Sequence, residues 1–104
     1  MLVISRHPGE TVLIRDGDVT VTVTVLRVTR TPQQKSADVM IGEPGSVRFV
    51  TLSFDRPEQV SRTLRVVMTD VRPDLVRLGF SGDRATPLWR AEALIAGVGV
   101  SKKS

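Results

Sequence analysis

Cysteine and tyrosine are absent from the chain, and histidine occurs once, as His7. Without cysteine there is no disulfide, no thiolate nucleophile and no thiolate metal site. A single histidine supplies no ligand cluster, so no metal is expected. His7 and Ser5 share one face of a strand, yet no third residue is in place to orient them as a triad would require. Neither G-x4-G-K-S/T nor G-x-G-x-x-G occurs, and Gly97-Val98-Gly99 reads as a helix stop rather than a phosphate cradle. Asp16, Asp18 and Asp74 sit in turns, where carboxylates are ordinary. The sequence therefore points away from an enzyme and implies no cofactor. No apolar run approaches the ~18 residues that cross a bilayer, and no signal peptide is legible, so a cytoplasmic protein without a membrane partner is expected.

Aromatic residues are few: Phe49, Phe54, Phe80 and Trp89 in 104 residues. A core must then be built from Val, Leu and Ile, which favours strands. The length allows one domain with a single core. The net charge is +4, and twelve of the fifteen cations are arginine. A basic surface of this kind suits an anionic partner, nucleic acid first among them, or it merely solvates the surface.

Residues 2–6 and 11–15 read as strands flanking a polar connection that holds Pro8 and Gly9. The first of them starts so early that it is expected to be tied down by central pairing. Arg15-Asp16-Gly17-Asp18 is a hairpin turn. In 19–28, Val19, Val21, Val23 and Val25 alternate with Thr20, Thr22 and Thr24, one apolar face and one hydroxylated. The phase changes at Leu26, which requires either cover on both faces or a bulge. Residues 29–38 read as a polar loop and 39–41 as a short strand, ended by the turn text at 42–45. Residues 47–54 resume strand character, and 55–62 form a helical turn or a loop. Residues 64–71 and 75–80 are strands joined by a tight turn at 72–74, with Val76, Leu78 and Phe80 on one face. Residues 81–84 form a loop and 85–90 a short strand whose Pro87 suits an edge. Residues 91–96 form a short C-terminal helix stopped by Gly97, and the last four residues a basic tail. The expected fold is mainly β, with many strand edges to hide.

The opening, Met1-Leu2-Val3-Ile4-Ser5-Arg6-His7-Pro8-Gly9-Glu10-Thr11-Val12-Leu13-Ile14, resembles the pattern M-L-I/V-L-S/T-R-R/K-x-G-E-S/T-I/L/V-x-I of the carbon storage regulator family (CsrA/RsmA), small bacterial RNA-binding translational regulators. Val71-Arg72-Pro73-Asp74-Leu75-Val76-Arg77-Leu78-Gly79-Phe80 resembles that family's V-x-G-x-x-V-R-I/L-G-V/I hairpin. Leu88-Trp89-Arg90-Ala91-Glu92-Ala93 is similar to its V-x-R-x-E-I/V text. The resemblance implies a single CsrA-like domain over residues 1–104: an interleaved β-sheet or barrel dimer with a short C-terminal helix. Family members have roughly 60 residues, which leaves a β-rich insertion at about 16–62. The third family strand is then 64–71, contiguous with the rest of the match, or alternatively 18–28. Residues 37–49 also loosely echo 75–89, each with a V-x-I/L-G strand, a partial internal repeat.

The resemblance further implies a homodimer in which each chain's first strand lies beside the partner's last strand. Two RNA sites then form that bind GGA-containing loops near ribosome-binding sites in mRNA or small RNA. Arg6 and Arg90 of opposite chains are the contact arginines, suited to phosphates or guanine edges. His7 stands where the family has a second cation, and Ile4 offers a backbone edge and an apolar contact. Trp89 stacks a base or covers the rim. Ser81 and Arg84 flank a loop that departs from the family's text. Family members are also bound by protein antagonists. The alternative is therefore a CsrA-like scaffold that has lost specific RNA recognition and serves as a protein-interaction module.

Overall fold

The computed structural model describes residues 2–16 and 18–82. These residues form eight strands and no helix: β1 (Leu2–Arg6), β2 (Thr11–Asp16), β3 (Val19–Arg30), β4 (Lys35–Glu43), β5 (Ser46–Leu52), β6 (Glu58–Gln59), β7 (Leu64–Arg72) and β8 (Leu75–Gly82). Period-two patterning sets the faces. Val21, Val23 and Val25 on β3, Ala37, Val39 and Ile41 on β4, Leu64, Val66 and Met68 on β7, and Val76, Leu78 and Phe80 on β8 are all buried. The threonines of β3 take the opposite face, where a β-branched side chain suits an extended backbone.

The strands make two antiparallel four-stranded sheets, ordered β1-β8-β7-β6 and β2-β3-β4-β5. Their inner faces close on one continuous aliphatic core, with Leu2, Ile4, Val28 and Val50 packed at its margin. The mainly β expectation holds.

Advancing every strand by four, counted cyclically, turns β1-β8-β7-β6 into β5-β4-β3-β2, which is the other sheet. The correspondence extends to residues. β3 carries a bulge between Val25 and Arg27, and β7 carries one between Met68 and Asp70. Val25 faces Val39 across its ladder as Met68 faces Leu78. Val39 in turn faces Val50 on β5, and Leu78 faces Ile4 on β1. β1–β4 and β5–β8 are thus two halves of one topology. Each half's first strand lies in the sheet built by the other half's last three.

A three-residue polar row beside each bulge follows the same geometry with its charges exchanged. In one sheet Arg27 bonds Asp38 at 3.0 Å and Thr51 donates to Asp38 at 2.6 Å. In the other the equivalent positions are Asp70, Arg77 and Ser5, with Arg77 Nε reaching Ser5 Oγ at 3.5 Å. The loose echo of 75–89 in 37–49 is not itself this symmetry, although β4 and β8 do correspond. Their register differs by two residues from the V-x-I/L-G match, because Val39 corresponds to Leu78 rather than to Val76.

Four local expectations need correction. Residues 29–38 are not a long loop: only 31–34 turn, closed by the Thr31 N–H to the Gln34 carbonyl at 2.8 Å. β3 and β4 pair out to Arg30 and Lys35, because Arg27 and Asp38 satisfy each other across the ladder. Residues 55–62 are not helical. Ser53 bridges Arg56, Pro57 cannot donate, and Glu58 and Gln59 pair with β7. The first strand is not central: β1 has β8 on one side and no second neighbour among the described residues. Residues 16–62, the excess over the resembling family, are no appendage, since β3, β4 and β5 supply one wall of the core. The bulge expected at Leu26 is present. The strand at 85–90, the helix at 91–96 and the basic tail lie outside the described residues.

Leu78→Ala, which empties a fully buried position facing both β1 and β7, is expected to cost about 2–5 kcal/mol. Because both sheets share one core, urea unfolding followed by circular dichroism and by backbone amide NMR signals from each sheet should show one coincident transition, shifted to lower denaturant.

Candidate nucleic-acid interface

β1 ends on Arg6, and the chain must then leave one sheet for the other within residues 7–10. Pro8 and Gly9 make this possible. Gly9 has φ +92°, and the Glu10 N–H returns to the His7 carbonyl at 3.0 Å, as in a turn with glycine at its third position. The Glu10 carboxylate accepts the His7 N–H at 2.8 Å. Gly9 thus serves as a positive-φ residue and Glu10 as a local acceptor. The loop is fixed to β3: the Gly9 N–H donates to the Val25 carbonyl at 2.7 Å, and the Val25 N–H donates to Glu10 at 3.0 Å. These two bonds extend the β2–β3 register one step beyond Thr11 and Thr24, so the ladder itself holds the crossover.

Arg6 lies opposite Val76 at the rim, half-buried. Among the described residues its guanidinium bonds only the Ser5 carbonyl, at 3.0 Å. His7 reaches across to the β7–β8 turn, where Nδ1 lies 2.6 Å from the Asp74 carbonyl oxygen and 3.8 Å from the Asp74 carboxylate. Contact with a carbonyl makes Nδ1–H the donor and turns the other ring nitrogen away. Arg77, opposite Ser5 on the outer face, touches only the Ser5 hydroxyl among the described residues. Arg72 is engaged by Asp70 at 3.1 Å. That hydrogen bond, with a second from the Val71 N–H, holds the Asp70 carboxyl below the ordinary aspartate range. Asp70 hydrogen-bonds Arg72, and the Arg77 guanidinium, facing it across the ladder, also favours its charged form. Arg6 and Arg77 both lie near the end of β1 but on opposite faces. Arg6 follows Leu2 and Ile4 on the inner side opposite Val76, where its guanidinium keeps donors for an anion at the rim, and Arg77 points outward with Ser5.

Of the residues singled out in the sequence, Ile4, Arg6 and His7 fall together on β1 and the loop after it. Ile4 packs against the core, so its side chain is chiefly structural. Ser81 is at the far end of β8, opposite Arg65. Five residues separate it from Val76, about 17 Å along the strand, so it does not join Arg6. Arg84, Trp89 and Arg90 lie outside the described residues. Sequence reasoning passed over Arg77 and Asp74, although both lie within the hairpin text quoted above. The strand alternation that buries Val76 and Leu78 also turns Arg77 outward beside Ser5.

The described residues hold no cluster of three or more potential metal ligands. No helix among them is long and apolar enough to cross a membrane. A cleft of about 540 Å³ opens at the opposite end of the sheets, lined by Asp18, Glu43, Arg62 and neighbouring turn residues. Two carboxylates there outnumber one guanidinium, so it is the less suited end for an anion.

Gly9→Ala meets no steric obstacle, since nothing lies within 4 Å of the added carbon. Its cost is conformational, about 1–2 kcal/mol, read as a lower denaturation midpoint with an unchanged slope. Asp70→Asn is expected to lower Tm at neutral pH and to lose this effect in acid. A depressed carboxyl adds stability above its unfolded-state pKa of about 3.9 and loses it as pH falls through the folded value. Tm measured from neutral pH to about pH 2.5 for both proteins should show the gap closing. Comparison with family models, with curated proteins and with solved structures gives no match to any of them.

Proposed function

We propose that this chain is an RNA-binding post-transcriptional regulator of the carbon storage regulator type, recognising GGA-containing single-stranded loops. The observation that carries the proposal is the end of β1. The Ser5-Arg6-His7-Pro8-Gly9-Glu10 text that resembles the family forms a fixed crossover, and it leaves Arg6 at the rim, its guanidinium free of carboxylate partners among the described residues. Guanidinium groups suit phosphates and guanine O6 and N7, and a single-stranded loop offers both together with unstacked bases. In this reading Arg6 and Arg90 are the principal contacts, and Trp89 stacks. His7, held by Asp74, positions the loop more than it binds. A regulator acting on transcripts works in the cytoplasm.

One observation favours a second reading, a scaffold that binds protein. Phe49 is 71% exposed and Val47 58% exposed on the outer face of β5. Two large apolar side chains so near each other mark an interaction surface more often than a bare one.

Gel shifts with a GGA hairpin and with the same stem carrying a scrambled loop separate the readings. Tighter binding to GGA is expected, weakening as salt rises because phosphate contacts release counterions. Arg6→Ala and Arg90→Ala should each weaken binding about tenfold or more, the loss of a charge-assisted hydrogen bond. Equal affinity for the two loops would sink the RNA reading. Phe49→Ser should leave RNA affinity unchanged.

A further inference from the structure

We infer that the chain is a single-chain equivalent of a two-subunit assembly, and that only one of its two equivalent ends retains an anion site. The RNA part rests on the function proposed above, whereas the assembly part does not. The resemblance implies a homodimer, in which a strand from each copy completes the other's sheet. Here that exchange occurs within one chain: β1 completes the sheet of β6–β8, and β5 completes the sheet of β2–β4. A topology that maps onto itself when its halves are exchanged already satisfies the closed two-fold arrangement that a pair of identical chains would make. The shared core, with seventeen buried apolar residues drawn from both halves, leaves no half-core awaiting a partner.

The two ends differ where chemistry would occur. The registers place Leu52 at the position of Arg6, since Leu52 faces Ala37 as Arg6 faces Val76. Arg6 is a rim cation, whereas Leu52 is wholly buried. Continuing at the same offset, Ser53 stands for His7, Asp55 for Gly9 and Arg56 for Glu10. Asp38 takes the place of Arg77 and Arg27 that of Asp70, so these facing pairs carry the same net charge at both ends. The difference lies at the next position: the β1 end carries the Arg6 cation, without a carboxylate partner among the described residues, where the β5 end has buried Leu52. An anion gains at the first and finds no cation at that position of the second. Asp55 where the other half has Gly9 removes the positive-φ residue, so the segment, which still bridges Ser53 to Arg56 at the positions of His7 and Glu10, turns with a different backbone.

Light scattering on the full chain should give a mass near 11.4 kDa at micromolar concentration. Native mass spectrometry with the GGA hairpin should give one RNA per chain. Arg6→Ala should weaken binding about tenfold, and Arg56→Ala, at the equivalent end, less than about twofold. A stable dimer would overturn the single-chain assembly whatever the RNA result. A monomer that takes up two RNAs, or one as sensitive to Arg56→Ala as to Arg6→Ala, would overturn the single site. A monomer that binds no RNA would sink the proposed function and the single site with it, leaving the assembly supported by its mass.

Discussion

The crossover between β1 and β2 is the constraint on which the remaining architecture depends. Within four residues the chain leaves the sheet of β7 and β8 and enters the sheet of β3 and β4. It does so because Gly9 accepts a positive φ and because β3, continuing its pairing with β2, offers the Val25 N–H and carbonyl to the loop. If β1 and β2 instead formed a simple hairpin, β8 would lose its outer neighbour, and Leu2 and Ile4 would lose their place at the margin of the core. Tying the two sheets together through backbone hydrogen bonds is also what brings Arg6, on one sheet, beside the turn that begins the other.

Much of this was legible in the residues. Alternation of valine and threonine fixed the face of β3, and its failure at Leu26 announced the bulge. Pro8-Gly9 announced the crossover turn, and Val76, Leu78 and Phe80 announced the buried face of β8. The misreadings share one cause: polar residues whose partners are distant in sequence resemble loop residues. Ser36 and Asp38 look like parts of a polar connection until Arg27 and Thr51 appear across the ladder. Glu58 and Gln59 look like helix formers until Pro57 and the edge of β7 are considered. The internal symmetry was nearly invisible because it is conserved as burial and register rather than as residue identity. Arg27–Asp38 and Asp70–Arg77 occupy the same ladder positions with the signs exchanged.

The candidate site shows the same division. Arg6 and the loop after it were readable from the opening text, since a strand end followed by Pro-Gly must place its last cation at a rim. Ser81 was misjudged because adjacency in a motif says nothing about which end of a strand a residue occupies. Arg77 went unnoticed because the same pattern that buries its neighbours makes an outward arginine look like ordinary solvation. It faces Asp70 across the ladder and shares that carboxylate's field with Arg72.

The pairing of Leu2 with Phe80 has a kinetic side. β2 to β5 pair with immediate neighbours in sequence, through turns of a few residues, and close quickly once made. β1 has no such neighbour. It must wait for β8, almost eighty residues later, while a ribosome adding roughly 5–20 residues per second completes the intervening chain. For a period on the order of seconds the N-terminal strand is an unpaired edge, and the arginine at its end has no rim to belong to. The long-range ladder that closes last is thus also the step that assembles the cationic end, so a chain stalled before β8 would hold the whole of the β2–β5 sheet and none of the surface that sets this end apart.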